Sequence, residues 1–502
     1  MSLAVTYCRA GVGVSAPLVT VEVHVANGLP GLSIVGLAEA AVKESKDRVR
    51  SAIVNSHFNF PAKRITINLA PADLPKEGAR FDLAIAIGVL LASGQIEAAD
   101  IEEYEFIGEL ALGGDIRLTS GLLPVAMQCK LAGRKLILPS ENACEAGLIN
   151  GLHVYPVNNL LEVCQHLSGQ QKLLLNEAND SEVKLRRVAD MKDVKFQYHA
   201  KRALEVAAAG GHSLLMVGPP GTGKTMLASR LPGILPEMTE EEATESAAIQ
   251  SISSQGFDAS HWRQRVFRSP HHTASGVALV GGGSNPKPGE ISLAHHGVLF
   301  LDEFPEFNRQ VLEVLREPLE SGRIVISRAA RQAEFPAKFQ LIAAMNPCPC
   351  GYYGDSSGKC HCSEEKVARY RNKISGPMLD RIDIHIEVPR VKNISAQASG
   401  DQVETSETIK QRVEECRRRQ VSRSGKCNAQ MSVEDVEENC KLSEAEHTFL
   451  MKTIEKLSLS NRAYHRVLKV ARTIADLRSS DKIEIADLAE AVSYRRLDRA
   501  LS

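Results

Sequence analysis

No stretch of this 502-residue chain is apolar for long enough to cross a bilayer, which takes about 18–20 residues, and its start has no basic segment running into an apolar one. Membrane and secreted classes are not expected, and the reading is cytoplasmic. Net charge is lacking too: 60 Lys and Arg stand against 61 Asp and Glu, giving −1. The overall basic footprint of a nucleic-acid binder is missing, so any DNA contact has to be local. Cysteines number 11, an odd count in a long chain without a secretion signal, which argues against a disulfide framework. What remains is an ordinary soluble composition, 43% hydrophobic and 24% charged, on a chain too long for one core. About two to four domains are expected.

Against these absences stands one strong motif. Gly218-Pro219-Pro220-Gly221-Thr222-Gly223-Lys224-Thr225 reads G-x-x-x-x-G-K-[ST], the phosphate-cradling loop. It follows the apolar run Ser213-Leu214-Leu215-Met216-Val217 and leads into a helix start at Met226 to Arg230, the strand, loop, helix setting the motif needs. Its glycines allow backbone N–H groups to turn toward phosphate oxygens, and the helix N-terminus adds partial positive charge. Lys224 is expected to reach the β- and γ-phosphates of ATP, and Thr225 to hold Mg²⁺. A chance glycine turn would not carry these flanks.

Upstream, residues 19–26 alternate as a half-buried strand, Ile65 to Leu69 repeats the pattern, and Glu39 to Asn55 reads as a helix. Phe81 to Ala92 reads as another, packed on its Phe81, Ile85 and Val89 face. Residues 1–167 thus form an α+β domain. Lys76-Glu77-Gly78-Ala79-Arg80-Phe81-Asp82, then Ile107-Gly108-Glu109-Leu110 and Gly121-Leu122-Leu123-Pro124, resemble the proteolytic domain of Lon-type proteases. In that family the first motif carries the nucleophilic serine. The matching position here is Arg80, and the partner lysine's position falls at Leu123, so the resemblance implies a scaffold without the dyad. Polar residues 168–185 read as a linker. Phe196 to Ala209 reads as a helix stopped by Gly210-Gly211.

Downstream of the loop, Val298-Leu299-Phe300-Leu301 ends in Asp302-Glu303. Beside a phosphate loop this acidic pair reads as Walker B, with Asp302 for Mg²⁺ and Glu303 for the attacking water; alone it describes many strand ends. The strand Gln340 to Ala344 ends at Met345-Asn346, where the asparagine resembles the sensor 1 of AAA+ ATPases, whose amide orients water against the γ-phosphate; a turn residue before Pro347 is the other reading. Cys348-Pro349-Cys350 and Cys360-His361-Cys362 place four thiols within fifteen residues. Two readings stand, a tetrahedral Zn²⁺ site and free, redox-active thiols. Gly376 to Asp383 precedes the strand Ile384 to Val388 and resembles the segment that carries the arginine finger in the Mg-chelatase and MCM branches of AAA+ proteins. Arg381 is at the matching position, which implies an arginine acting on a neighbour's nucleotide; an ion pair with Asp380 or Asp383 is the other reading. In the helical, charged last hundred residues, Arg462, Arg466 and Lys469 form a basic face and Val467, Val470, Ala471 and Ile474 an apolar one. The basic face looks toward something anionic or is merely solvated, and Arg417-Arg418-Arg419 reads as a solvated face.

Together with Phe267 to Thr273, Gly281 to Glu290, Leu293 to Gly297, Met345 to Gly351 and Ala463 to Arg472, these motifs resemble the ComM/YifB family of Mg-chelatase-like AAA+ ATPases over essentially the full length. The resemblance implies an α/β chain: a Lon-protease-like α+β domain (1–167), the linker, an AAA+ P-loop core of parallel sheet with flanking helices (186–395) and a helical lid (396–502). It implies ATP and Mg²⁺ as cofactors, Arg381 as the finger and Arg462 as the sensor 2 arginine. It also implies a hexameric ring acting as a helicase on single-stranded and branched DNA, promoting branch migration when transforming DNA is integrated. Residues 275–290 and 323–339 match two hairpins that point into the pore of ring helicases, which would set Lys287, Arg328 and Arg331 along a phosphate backbone. Packing against a neighbour is the other reading of these loops. A chelatase-type motor acting on a protein partner and an ATP-dependent protease are the competing functions. The second is opposed by Arg80 and Leu123.

Overall fold

A computed structural model describes residues 2–36, 42, 44–176, 189–283, 286–328, 331–355, 358–390, 404–457 and 460–495, with only the backbone of 327, 328, 331, 332 and 461. The chain divides into two compact units, Met1–Lys184 with Thr244–Trp262, and Leu185–Ala243 with Arg263–Ser502.

In the first unit, β1 (Ser2–Arg9), β2 (Leu18–Ala26), β3 (Gly31–Val35) and β4 (Arg64–Ala70) form one sheet in the order β1-β2-β4-β3. Alternation along β2 buries Val19, Val21, Val23 and Val25, as the period of two requires. Helix α1 (Ser45–Asn55) begins at Ser45; residues 39–41 and 43 of the expected helix lie outside the described residues. Helix α2 (Asp82–Ala92) departs from the expected amphipathic reading, because every residue in it except Leu91 is buried. An added Cβ at its Gly88 would stand 2.6 Å from the Val23 side chain, so this helix lies directly on β2 and cannot show a solvent face. Strand β5 (Tyr104–Phe106) joins β6 (Lys135–Pro139) and β7 (Val154–Val157) in a small parallel sheet. Buried Glu105 accepts from Arg9 Nε at 2.6 Å and Nη2 at 2.8 Å, a bidentate pair between the two sheets.

Arg80 sits just before α2 and donates from Nη2 to the Ser120 carbonyl at 3.1 Å, and burial pulls its guanidinium below the usual arginine value. Leu123, in the helix α3 (Leu122–Leu131), is wholly buried. Neither position offers a nucleophile or an amine base.

The second unit starts its regular structure with α4 (Tyr198–Gly210), closed by Gly211 in the left-handed region at φ +73°. Strand β8 (Leu214–Val217) leads to α5 (Lys224–Arg230), followed by α6 (Glu240–Ser251) and β9 (Phe267–Arg268). From α6 onward, residues 244–262 belong to the first unit, where Ala247 and Ala248 are buried in the core and Phe257 and Trp262 pack on it. The range 186–395 read from sequence encloses this stretch, since Glu240 to Ser251 carries no apolar stripe that would announce its partner.

Next come α7 (Gly276–Val280), the paired β10 (Gly281–Gly282) and β11 (Lys287–Pro288), and α8 (Glu290–Leu293), a helix interrupted by a hairpin. Strand β12 (Val298–Leu301), α9 (Arg316–Ser321), the hairpin β13 (Arg323–Arg328) and β14 (Arg331–Pro336), and β15 (Gln340–Met345) follow. Then α10 (Glu364–Arg371), α11 (Gly376–Leu379) and β16 (Ile384–Glu387) complete the sheet region. The sheet runs β9-β12-β15-β8-β16, parallel throughout, so the carboxyl ends of its strands open on one edge.

The last helices are α12 (Ser406–Ser424), α13 (Val433–Asn439), α14 (Glu444–Leu457), α15 (Asn461–Leu477) and α16 (Ile485–Ser493). Val467, Val470, Ala471 and Ile474 of α15 are all buried, as their spacing demands, in the same apolar cluster as Leu214, Met216 and Ile342 of the sheet. Core and C-terminal helices therefore share one interior. No described helix is long and apolar enough to cross a membrane.

Candidate nucleotide site and basic hairpins

The phosphate loop follows the sheet strand β8, and its geometry explains its residues. An added Cβ at Gly218 would stand 2.3 Å from the Val388 carbonyl oxygen, so only glycine fits the strand exit. Gly221 and Gly223 take φ +75° and +88°, and α5 begins at Lys224. Lys224 is buried and donates from Nζ to the carbonyls of Gly218 at 2.6 Å and Pro219 at 3.0 Å and to Asn346 Oδ1 at 3.2 Å. Burial lowers its amine below the usual lysine value, with Asp302 opposing. Thr225 Oγ1 donates to Asp302 Oδ2 at 2.6 Å. A hydroxyl and a carboxylate so close are hard oxygen donors of the kind that hold Mg²⁺ beside phosphates.

Glu303 adopts φ +52°, and its Oε2 lies 2.9 Å from His272 Nδ1. Sequence reading assigned no role to His272; the signal was the His271-His272 pair placed shortly after β9, whose register sets it beside the end of β12. Asn346 follows β15 directly, and its side-chain oxygen accepts from Lys224 of the loop. Arg381 is buried, donates to the Pro377 carbonyl at 2.7 Å and pairs with exposed Glu320 at 2.5 Å, so its partner is neither Asp380 nor Asp383. Arg462 is exposed in the first turn of α15.

Other basic residues, read as solvated or as facing something anionic, are employed internally. Arg466 forms an ion pair with buried Asp383, which also stands 3.2 Å from His212 Nδ1, and these partners hold its carboxyl far below the usual range despite its burial. Lys469 donates to the Ala429 carbonyl. Arg417 caps the C-terminus of α4 through the carbonyls of Ala208 at 2.7 Å and Ala209 at 3.0 Å. Within that run, Arg418 is exposed and Arg417 and Arg419 are half-buried.

The four thiols converge. Cys348 Sγ is 3.3 Å from Cys350 and 3.9 Å from Cys360, Cys350 is 3.6 Å from Cys360, and all four sulfurs lie within 4.8 Å of one another. Tetrahedral zinc with bonds of about 2.3 Å has sulfur–sulfur edges of about 3.8 Å, so the set fits that ion. Hydrogen bonds from the Tyr352 amide and Cys348 bring the Cys350 thiol down to about 6.

The expected hairpins are both present. Lys287 is exposed on the first. On the second, the backbones of Arg328 and Arg331 face each other at the end of the register, while their side chains lie outside the described residues. Buried Ile326 joins the two: an added Cβ at Gly281 would stand 2.8 Å from its Cδ1.

Three family models match in sequence order: subunit ChlI of Mg-chelatase over residues 21–142, magnesium chelatase subunit ChlI over 190–396, and its C-terminal part over 403–495. The chain is 53% identical to competence protein ComM of Haemophilus influenzae over 505 aligned positions, covering 100% of this chain and 99% of that protein. It is 51% identical to YifB of Escherichia coli over 501, covering 100% and 98%. A partial match of 27% over 188 positions, 32% of this chain and 34% of that protein, is to Lon protease 2 of Bacillus subtilis.

Proposed function

We propose that this chain, which belongs to the magnesium chelatase subunit ChlI family of AAA+ proteins and there to the ComM/YifB group, is an ATP-hydrolysing ring motor that moves on DNA and promotes branch migration when a transforming strand is integrated. Lys224 neutralises the β- and γ-phosphate oxygens, and the loop amides from Gly221 to Lys224 bind the remainder. Thr225 and Asp302 would hold Mg²⁺, which supplies charge neutralisation on the phosphates when bound. Glu303 takes the proton of the attacking water, with His272 fixing the direction of its carboxylate, and Asn346 orients that water. Arg381 leaves Glu320 to stabilise charge on the nucleotide of the adjoining subunit, and Arg462 touches phosphate from the lid.

The observation that carries the DNA reading is the pair of contacting hairpins in the same unit as the phosphate loop, with Lys287 exposed on one and Arg328 and Arg331 at the end of the other. Basic groups repeated around a ring would track a phosphate backbone without reading bases. The name of the Haemophilus relative, a competence protein, agrees with this.

The test is ATP-dependent branch migration of a labelled four-way junction, run beside casein degradation with the same protein. Junction movement that stops with Lys224→Ala supports the reading. ATP hydrolysis with no movement of any branched substrate favours the chelatase-type motor, and casein cleavage the protease.

A further inference from the structure

The cysteine knuckle and the phosphate loop touch. Gly351, the residue after Cys350, has φ +85°, and a Cβ built on it would lie 2.7 Å from Pro220 Cδ of the loop and 3.8 Å from Asn346 Cγ. Cys348 is wholly buried and stands two residues after Asn346, the amide that accepts from Lys224. Helix α10 starts two residues after Cys362, with Ser363 as its N-cap, and returns its other end to the same place. There the Tyr370 hydroxyl meets the Asn346 backbone amide, and Arg371 Nε donates to the Pro347 carbonyl at 3.2 Å. The chain thus leaves the sensor position, passes through two thiols, returns through two more and is tied back to where it left.

We propose that this knuckle positions the nucleotide site: with a divalent metal on Cys348, Cys350, Cys360 and Cys362, Gly351 holds Pro220 and Tyr370 holds Asn346 in the arrangement that binds ATP. Gly351 and Tyr370 are positioning residues, acting through the loop and through Asn346. A ligand set closed by one ion fixes Cys348, Cys350, Cys360 and Cys362 at once, whereas four free thiols leave Gly351 without that restraint against Pro220. Linkage then makes the effect mutual: metal raises nucleotide affinity and nucleotide raises metal affinity by one factor, which for such couplings is about 10-fold.

This rests on the readings of the thiols as a zinc site and of the loop as an ATP site, and the experiment separates them. Zinc content and the Kd of a fluorescent ATP analogue are measured on full-length protein as purified, after zinc removal, and after zinc is restored. Zinc affinity is measured by chelator competition with and without a non-hydrolysable ATP analogue. The expected result is one zinc per chain, nucleotide affinity about 10-fold weaker without it, and zinc affinity raised by the same factor with nucleotide. Should the metal-free protein lose its fold, Gly351→Ala decides: it should keep its zinc and circular dichroism yet bind nucleotide several-fold more weakly, because its Cβ must displace Pro220. Tyr370→Phe, which keeps the ring, should weaken nucleotide with zinc unchanged. Protein that binds neither zinc nor ATP overturns the underlying readings. Protein that binds both, with affinities independent of one another and of Gly351, overturns the coupling alone.

Discussion

Replacing Arg466 by methionine should uncover how much the junction between sheet and last helices depends on one charge. Asp383 is 5% exposed, and its partners are Arg466, His212 at 3.2 Å and the Ser213 backbone amide at 3.3 Å. Methionine keeps the buried stem of the arginine and removes its charge. Breaking a buried pair typically costs about 3–5 kcal/mol, and the two partners left to Asp383 place this case near about 3. At about 2 °C per kcal/mol for a unit of this size, the melting midpoint should fall by about 6 °C. The transition to follow is the one that ATP raises, since that identifies the unit carrying the phosphate loop. The pH arm has a fixed sign. Asp383 is held below its unfolded value of about 3.9, so its contribution is complete at neutral pH and fades as pH falls through that value. The gap between wild type and variant should be full at pH 7 and begin to close between about pH 5 and 4. Adding Asp383→Asn should recover part of the loss, since no unpaired charge then remains. A gap under about 1 kcal/mol at pH 7, or one equally large in acid, would refute the reasoning. The junction also matters to function: Asp383 lies two residues after Arg381, and Arg466 one turn after Arg462.

Other outcomes follow from the nucleotide site. Lys224→Ala should abolish ATP binding, while Glu303→Gln should bind ATP normally and hydrolyse it about 10²–10⁴-fold more slowly, measured by fluorescent-analogue titration and phosphate release. Full turnover by Glu303→Gln would remove its role. Arg381→Ala should lose hydrolysis under conditions where the wild type is assembled, and mixing it with Lys224→Ala subunits should restore part of it; unchanged hydrolysis in Arg381→Ala alone would dismiss a role across subunits. His272→Ala should lower the hydrolysis rate with little change in nucleotide affinity, because it touches Glu303 and not the phosphate loop.

Local spacing made much of this legible. The P-loop, the Asp302-Glu303 strand end, the two hairpins and the four thiols are sets of neighbouring residues whose chemistry depends on near spacing, and each forms a local structure of the expected kind. What sequence left hidden was the identity of distant partners. Arg417, Arg466 and Lys469 read as a solvated or ligand-facing surface, but their partners, the end of α4, Asp383 and Ala429, lie 40 to 209 positions away. Residues 244–262 carry no stripe that assigns them to the first unit. Helix α2 shows an apolar face in sequence but buries every residue except Leu91, with Gly88 against Val23 of β2. His272, part of the quoted Phe267 to Thr273 motif, received no role of its own because its place beside Glu303 depends on the parallel pairing of β9 with β12.

The account's central claim is that ATP hydrolysis is coupled to DNA held by its backbone, and the most direct test is the ATPase rate with and without single-stranded DNA across a salt series. The account predicts stimulation independent of base sequence that falls steeply with salt, as counterion release requires. In the combined Lys287→Ala, Arg328→Ala, Arg331→Ala protein, the ratio of stimulated to unstimulated rate should drop toward one. A wild-type rate indifferent to DNA, or a triple variant stimulated as strongly as wild type at every salt concentration, would contradict it.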